Sequence, residues 1–413
     1  MKKSLLAVAV AAALPAAAMA QVTITGYAKG SVDTFSIGDA NAARLGKTSE
    51  NRVTDHSSRI IFGANEQIDD DLSGVFQLDI RFNVDQQGRL GNENPAAGSH
   101  VAAPSAVINP LSSGNNHVGI VSKSMGALRM GRSDIYYGVT GSVLPSSTHI
   151  NASAPTVLHN PAGGGMANHS RTPNLVWYET PTVQGFKATV GYSTNPLRAS
   201  GTNETENDLG TTSATRKGSG TFLQLNGQVG PVALTFATVD LKSDYFGGTC
   251  FRAPATGATL GSCAFELTGN AHPNQKGNVI SAVYRAGPIA LGAAYSDNSS
   301  TTNLNVKTSR TAYNLSGAYT MGKNTFAAEY QNGGDQTVAG VKAADTGLTG
   351  TVLAYDYAFS KRTNLGLTYF VLNNDAKSAI GPFYSGSNTF GGQFTALAGE
   401  KYTVTSLVLR HSW

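Results

Sequence analysis

The sequence predicts an all-β protein, a sixteen-stranded antiparallel barrel that crosses a membrane. Three observations lead there. The last twelve residues alternate, with Trp413, His411, Leu409, Leu407 and Thr405 on one face and Ser412, Arg410, Val408 and Ser406 on the other. That period of two marks a strand with one apolar and one mixed polar face. An aromatic at its end suits the interfacial girdle of a closed barrel. Next, short turn signals alternate along the chain with long polar connections. Finally, the chain opens like an exported protein, yet no later segment approaches the roughly 18 apolar residues of a membrane helix.

Met1-Lys2-Lys3 is a short basic start, Leu5 to Met19 is almost wholly apolar, and Ala18-Met19-Ala20 is a small-residue cleavage site. This is the pattern of a secretory signal peptide. Residues 1–20 are expected to be removed, leaving 21–413 as a single barrel domain. Thr23–Ser36 is the opening strand.

Seven tight turns then follow in order. Asp69-Asp70-Asp71-Leu72-Ser73 joins Arg59–Gln67 to Val75–Val84, and Met125-Gly126 joins His117–Lys123 to Ala127–Ser133. Thr182-Val183-Gln184-Gly185 joins Asn174–Thr180 to Phe186–Thr194. Gly230-Pro231, Gly287-Pro288, Met321-Gly322-Lys323-Asn324 and Ser360-Lys361-Arg362-Thr363 complete the set. Gly, Pro, Asn and Asp serve such turns by their backbone preferences. Seven hairpins supply fourteen strands, and Thr23–Ser36 and Tyr402–Trp413 make sixteen. The other connections are long and polar, as at Gln86–Asn115, Asn195–Arg216, Ser243–Lys276 and Asn373–Glu400. Short turns on one rim and long loops on the other are the build of an outer-membrane barrel, and are unusual in a soluble domain.

The strands alternate cleanly. Phe76, Leu78, Ile80 and Phe82 oppose Gln77, Asp79, Arg81 and Asn83; Leu353, Tyr355, Tyr357 and Phe359 oppose Ala354, Asp356 and Ala358. Leu365, Leu367, Tyr369 and Val371 oppose Asn364, Gly366 and Thr368. A charge such as Asp356 is costly in lipid, so that face must be wet. Sixteen strands leave a lumen that side chains cannot fill. Composition agrees. A hydrophobic content of 40% is low for a helical membrane protein and ordinary where only alternate residues meet lipid. Removing Lys2 and Lys3 from the 30 Lys and Arg leaves 28 against 26 Asp and Glu, a net charge of +2. Nucleic acid is therefore not an expected partner.

Several stretches carry a family resemblance. Ser58-Arg59-Ile60-Ile61-Phe62-Gly63, Gly74-Val75-Phe76-Gln77-Leu78-Asp79, Gly126-Ala127-Leu128-Arg129-Met130-Gly131-Arg132 and Arg171-Thr172-Pro173-Asn174-Leu175-Val176-Trp177-Tyr178 are four of them. With Ser360-Lys361-Arg362-Thr363-Asn364-Leu365 and Leu409-Arg410-His411-Ser412-Trp413, they resemble the Gram-negative general porins of the Neisseria and Bordetella/Comamonas type. Two positions depart from that pattern. Trp413 stands where the family usually has Phe, and Gly63-Ala64 where Lys-Gly is usual. The resemblance implies a homotrimer in the outer membrane, in contact with lipid and lipopolysaccharide, that passes small hydrophilic or anionic solutes by diffusion. It also implies that the third long loop, between Ser133 and Thr172, folds inward and narrows the lumen.

That loop contains one acid, Asp134, with His149, His159, His169 and Arg171. Arg59 and Arg81 belong to the lumen-facing set, Arg132 lies at the loop's start, and Arg129 and Arg410 also fall on the wet face. A basic wall at Arg59, Arg81 and Arg132 would concentrate anions and exclude cations. In the competing reading these arginines pair with Asp79, Asp356 or Glu179. Cys250 and Cys263 share one long loop, and passage through an oxidising compartment predicts a disulfide between them. Free thiols or a metal site are the alternatives; two cysteines alone make a poor zinc site.

No cofactor is expected. Gly46-Lys47-Thr48 lacks the first glycine of a phosphate loop, with Asn41 in its place. Nor is a metal expected, since the three loop histidines are spaced ten apart. The sequence thus favours a passive channel over two other classes. One is an outer-membrane phospholipase or protease, for which Ser146-Ser147-Thr148-His149 is the nearest candidate. The other is a surface adhesin built on the loops.

Overall fold

The computed structural model describes residues 21–44, 47–82, 84–85, 114–136, 138–148, 155–159, 172–194, 196, 218–243, 274–301, 305–381 and 396–413. They form one antiparallel sheet that closes on itself. The strands of its first half are β1 (Gln21–Gly38), β2 (Ser49–Asp55), β3 (Arg59–Gln67), β4 (Leu72–Arg81), β5 (Asn116–Ser122), β6 (Gly126–Ser133), β7 (Thr172–Glu179), β8 (Phe186–Ser193) and β9 (Gly218–Val229). Then come β10 (Val232–Ser243), β11 (Asn274–Ala286), β12 (Ile289–Thr301), β13 (Lys307–Met321) and β14 (Asn324–Gly333). The chain ends with β15 (Gln336–Val338), β16 (Val341–Ala343), β17 (Leu348–Ala358), β18 (Thr363–Asn374) and β19 (Lys401–Ser412). A single helical turn, Pro155–Leu158, lies between β6 and β7.

The wall has sixteen strands, as the alternation predicts. β15 and β16 form a small hairpin that hangs from β13 through Thr308↔Val338 and Ser309↔Thr337. β2 and β3 are the two halves of one wall strand. β1 pairs with β3 over Gln21–Tyr27 and with β2 over Gly30–Ser36. The break at His56–Ser58 is tied to its neighbours by backbone hydrogen bonds. The His56 amide donates to the Lys29 carbonyl at 2.9 Å and the Phe82 amide to the Ser58 carbonyl at 3.0 Å. Ser57 takes a φ of 60°, which turns the chain there.

The ring closes where the first and last strands meet. Tyr27↔Ser412 through Gly38↔Lys401 pair antiparallel, and the Trp413 amide donates to the Gly26 carbonyl at 3.3 Å. An open edge cannot face lipid, so this seam completes the wall. All seven sequence-predicted turns join adjacent strands at the same rim. Gly230 and Gly287, at φ of 55° and 54°, each precede a proline in the left-handed conformation that glycine adopts without strain.

Inside and outside are exchanged relative to a soluble protein. Leu353, Leu367, Leu407 and Leu409 point outward, each about half exposed, beside Phe76, Leu128, Ile280, Leu291, Leu315 and Phe326. This belt suits hydrocarbon. Polar and charged residues are buried inside: Lys29, Asp33, Asp79, Asn314, Glu329, Gln331 and Asp356 lie on inward faces, beside apolar residues such as Phe35, Val352 and Phe370.

Candidate functional site

The interior is occupied by the segment after β6. Its described residues, 134–136 and 138–148, run along the inner wall from β11 round to β1. Tyr136 donates from its hydroxyl to Asn298 Oδ1 at 2.6 Å. Asn314 Nδ2 donates to the Thr140 carbonyl at 3.0 Å, and the Val143 amide to Ser316 Oγ at 3.1 Å. Ser147 donates to Asp356, and Lys29 Nζ to the Thr148 carbonyl. The helical turn docks beside it, its Leu158 carbonyl accepting from Ser296 Oγ and Asn298 Nδ2 at 2.6 Å each.

Wall glycines make room for this segment. A Cβ at Gly277 would overlap the Tyr136 hydroxyl, at Gly292 the Gly141 carbonyl, and at Gly366 the Ser147 side chain. Glycine weakens an isolated strand, and a strand glycine often marks a close backbone approach. Here the approaching backbone is the chain's own.

Two charge clusters line the wall, and each sets two cations against one carboxylate. On β3 and β4, Arg59 Nη1 reaches Asp79 Oδ2 at 3.4 Å, and Arg81 Nε reaches Asp79 Oδ1 at 3.2 Å. Both guanidiniums also donate to the Ser57 carbonyl. On β6 to β8, Glu179 takes Arg129, Lys187 Nζ at 3.0 Å and Trp177 Nε1 at 3.1 Å. His117 stacks edge-on against Trp177 at 5.6 Å. Asn116 lies beside the first cluster: its Oδ1 accepts the Asp79 amide at 2.8 Å and its backbone pairs with Arg132. Arg410 joins the first cluster through Tyr27, whose ring takes Arg410 and Arg59 at 4.8 Å each.

These contacts change the sequence expectation of an open basic wall. Arg59, Arg81 and Arg129 are paired, through Asp79 and Glu179. At Glu179 the described cations outnumber the carboxylate, Arg129 and Lys187 sharing its two oxygens. Asp356 accepts instead from Ser147 and, at 2.8 Å, from Asn364 Nδ2. It faces the inner segment and is buried, where the alternation placed it in open water. Asp134 caps the start of that segment, accepting the Gly138 amide at 2.9 Å. His159 is buried against Tyr136 with ring centroids 5.0 Å apart. Among the described residues no group of three or more His, Cys, Asp or Glu could hold a metal. Arg171, His149, His169, Cys250 and Cys263 lie outside the described residues.

Sequence reasoning passed over Lys29. It lies on the inward side of β1 with Tyr27, Ser31, Asp33, Phe35 and Ile37, directly across the ladder from Arg410. The available signal was the parity of that strand, but both its faces mix polar and apolar residues. His56 was passed over as well. Its Nε2 lies 2.6 Å from Ser31 Oγ, which donates to Asp33 at 2.6 Å.

At the long-loop rim a further clasp ties the segment after β1 to the one before β19. Arg44 grips Glu400 with Nε and Nη2, the Asn41 and Leu397 amides donate to the same carboxylate, and Tyr402 donates at 2.7 Å. Burial alone would raise the Glu400 pKa. The donors from Arg44, Tyr402, Leu397 and Asn41 outweigh it and hold the carboxyl at about 2.

A sequence profile of the family described as Gram-negative porin matches residues 7–377. An outer membrane porin protein of Bordetella pertussis is 30% identical over 213 residues, which are 47% of this chain and 48% of that protein. The chain thus spans about half the length of the curated relative it matches. Among solved structures, an anion-selective porin from Comamonas acidovorans superposes with a TM-score of 0.63 at 19% identity, covering 95% of this chain and 100% of that one. In-vitro folded OmpT, an outer membrane protein of Vibrio cholerae, gives 0.60 at 13% identity, covering 97% and 99%. At these identities the structures speak to the fold.

Proposed function

The chain belongs to the Gram-negative porin family, and on that premise we propose that it forms a water-filled outer-membrane channel for passive diffusion of small hydrophilic solutes, with a preference for anions. The observation that carries the preference is the repeated arrangement of two cations per carboxylate, at Asp79 with Arg59 and Arg81, and at Glu179 with Arg129 and Lys187. Around Glu179 the described cations outnumber the carboxylate by one, which adds positive charge to the inner wall. Fixed positive charge at a narrow point lowers the barrier for anions and raises it for cations. The inner segment opposes these clusters with Asp134 alone among its acids, and that carboxylate is turned to its own backbone. The related Comamonas protein is itself described as anion-selective, which supports the same sign here. No bond is made or broken in this function, so the chain is no enzyme. It works as a homotrimer, in line with the porin fold it shares with a trimeric form of Vibrio cholerae OmpT.

Planar-bilayer recording of the purified full chain tests the proposal. Large, stable conductance steps with an anion-sign reversal potential in a salt gradient are expected. A bilayer that stays silent overturns the channel, and a cation-sign potential overturns the preference.

A further inference from the structure

Arg410 differs from the other lumen arginines in what it touches. Its guanidinium lies over the Tyr27 ring at 4.8 Å, and among the described residues no hydrogen bond or ion pair engages its five N–H donors. It is partly exposed toward the interior. The inward carboxylates of the neighbouring strands have contacts of their own: Asp79 with Arg59 and Arg81, Asp356 with Ser147 and Asn364, Asp55 with Ser58, Asp33 with Ser31. Two cations flank Arg410. Lys29 is its cross-strand neighbour, and Arg59 lies over the same tyrosine.

Stacking on an aromatic ring fixes a guanidinium's plane while leaving its N–H edge free. A fixed, unengaged fork in a positive field is the complement of a planar oxyanion, which it binds with two parallel hydrogen bonds. A halide can use the field but not the fork. We propose that Arg410, held by Tyr27 and reinforced by Lys29 and Arg59, is a docking site for carboxylate-bearing solutes on the side of the lumen toward the short-turn rim. The height follows from register: Arg410 lies three residues from Trp413, whose amide closes the seam at Gly26. The site rests on the channel reading and sharpens it, since it separates carboxylates from halides of the same charge.

The test measures chloride current through the reconstituted full chain while propionate is titrated in, with inorganic phosphate as a parallel arm. In the wild type propionate should reduce the chloride current saturably, and Arg410→Gln should raise the half-inhibiting concentration about fivefold or more. Arg410→Lys keeps the charge without the fork, and should recover less than half of that loss. Heat-modifiable gel mobility verifies that each variant has formed a barrel. Equal inhibition in the wild type and in Arg410→Gln overturns the site. Full recovery in Arg410→Lys overturns the role of the fork, and phosphate competing as well as propionate overturns the carboxylate assignment. Absence of any chloride conductance in the wild type would instead overturn the channel reading.

Discussion

Asp79 holds Arg59 and Arg81 with one carboxylate, so its removal should be felt as charge rather than as shape. Asp79→Asn keeps a hydrogen-bonding partner for both guanidiniums and removes one negative charge beside them. The anion-sign reversal potential should grow, most visibly in dilute salt, because the screening length falls from about 10 Å at 0.1 M to about 3 Å at 1 M. Replacing Arg59, Arg81 and Arg132 together by Gln should move the potential toward zero while the barrel still forms. A triple variant with wild-type selectivity would place the selective charge elsewhere. The Glu400 clasp makes a prediction about acid. Its folded pKa, about 2, lies below the ordinary value of 4.5. A depressed carboxylate contributes stability that is complete above the unfolded value and fades as pH falls through the folded one. The clasp should therefore be intact at neutral pH and weaken between about 4.5 and 2. Hydrogen exchange at the Asn41 and Leu397 amides reads this directly. Glu400→Gln should show faster exchange at neutral pH with no such acid transition, and a local loss of about 1.5–3 kcal/mol.

At the scale of strands and loops, the wall was written locally and its filling was not. Alternation such as Leu353, Tyr355, Tyr357, Phe359 is a property of neighbouring residues, and so is the turn chemistry of Gly287-Pro288. Both could be read without knowing what they face, which is why the seven turns and the sixteen wall strands were legible. The course of residues 134–148 depends on partners far away in the chain. Ser147 meets Asp356 across 209 positions and Thr148 meets Lys29 across 119. The glycines that admit the segment look in sequence like weak points in β11, β12 and β18. The three-residue strands β15 and β16, and β2 above the break at His56, are too short or too polar to show a period. The pairing of Arg129 with Glu179 could be raised from sequence as one possibility, but choosing it needed the register Ala127↔Glu179. Gly292→Val tests the fit of segment and wall. A side chain there collides with the Gly141 carbonyl, so the variant should keep heat-modifiable mobility while its single-channel conductance shifts and its current noise rises. Unchanged conductance would mean that the segment does not depend on that contact.

For the whole molecule, the seam between β1 and β19 has a consequence of a topological kind. Every join around the wall is between antiparallel neighbours, and this one differs only in lacking a turn. Gly26 and Trp413 meet at the rim where the seven tight turns lie, so a covalent link there would look like one more hairpin. The wall is in that sense a ring without a privileged first strand. Its linear order records where the ring happens to be cut. A circular permutant that links Trp413 to Gln21 through a few glycines and begins at Pro288 should thus close into the same barrel, because new termini at an exposed turn disturb no ladder. Conductance and heat-modifiable mobility like those of the parent would establish it. A permutant that never closes would show that the order in which strands arrive, and not the pairing they finally share, decides whether the ring can form.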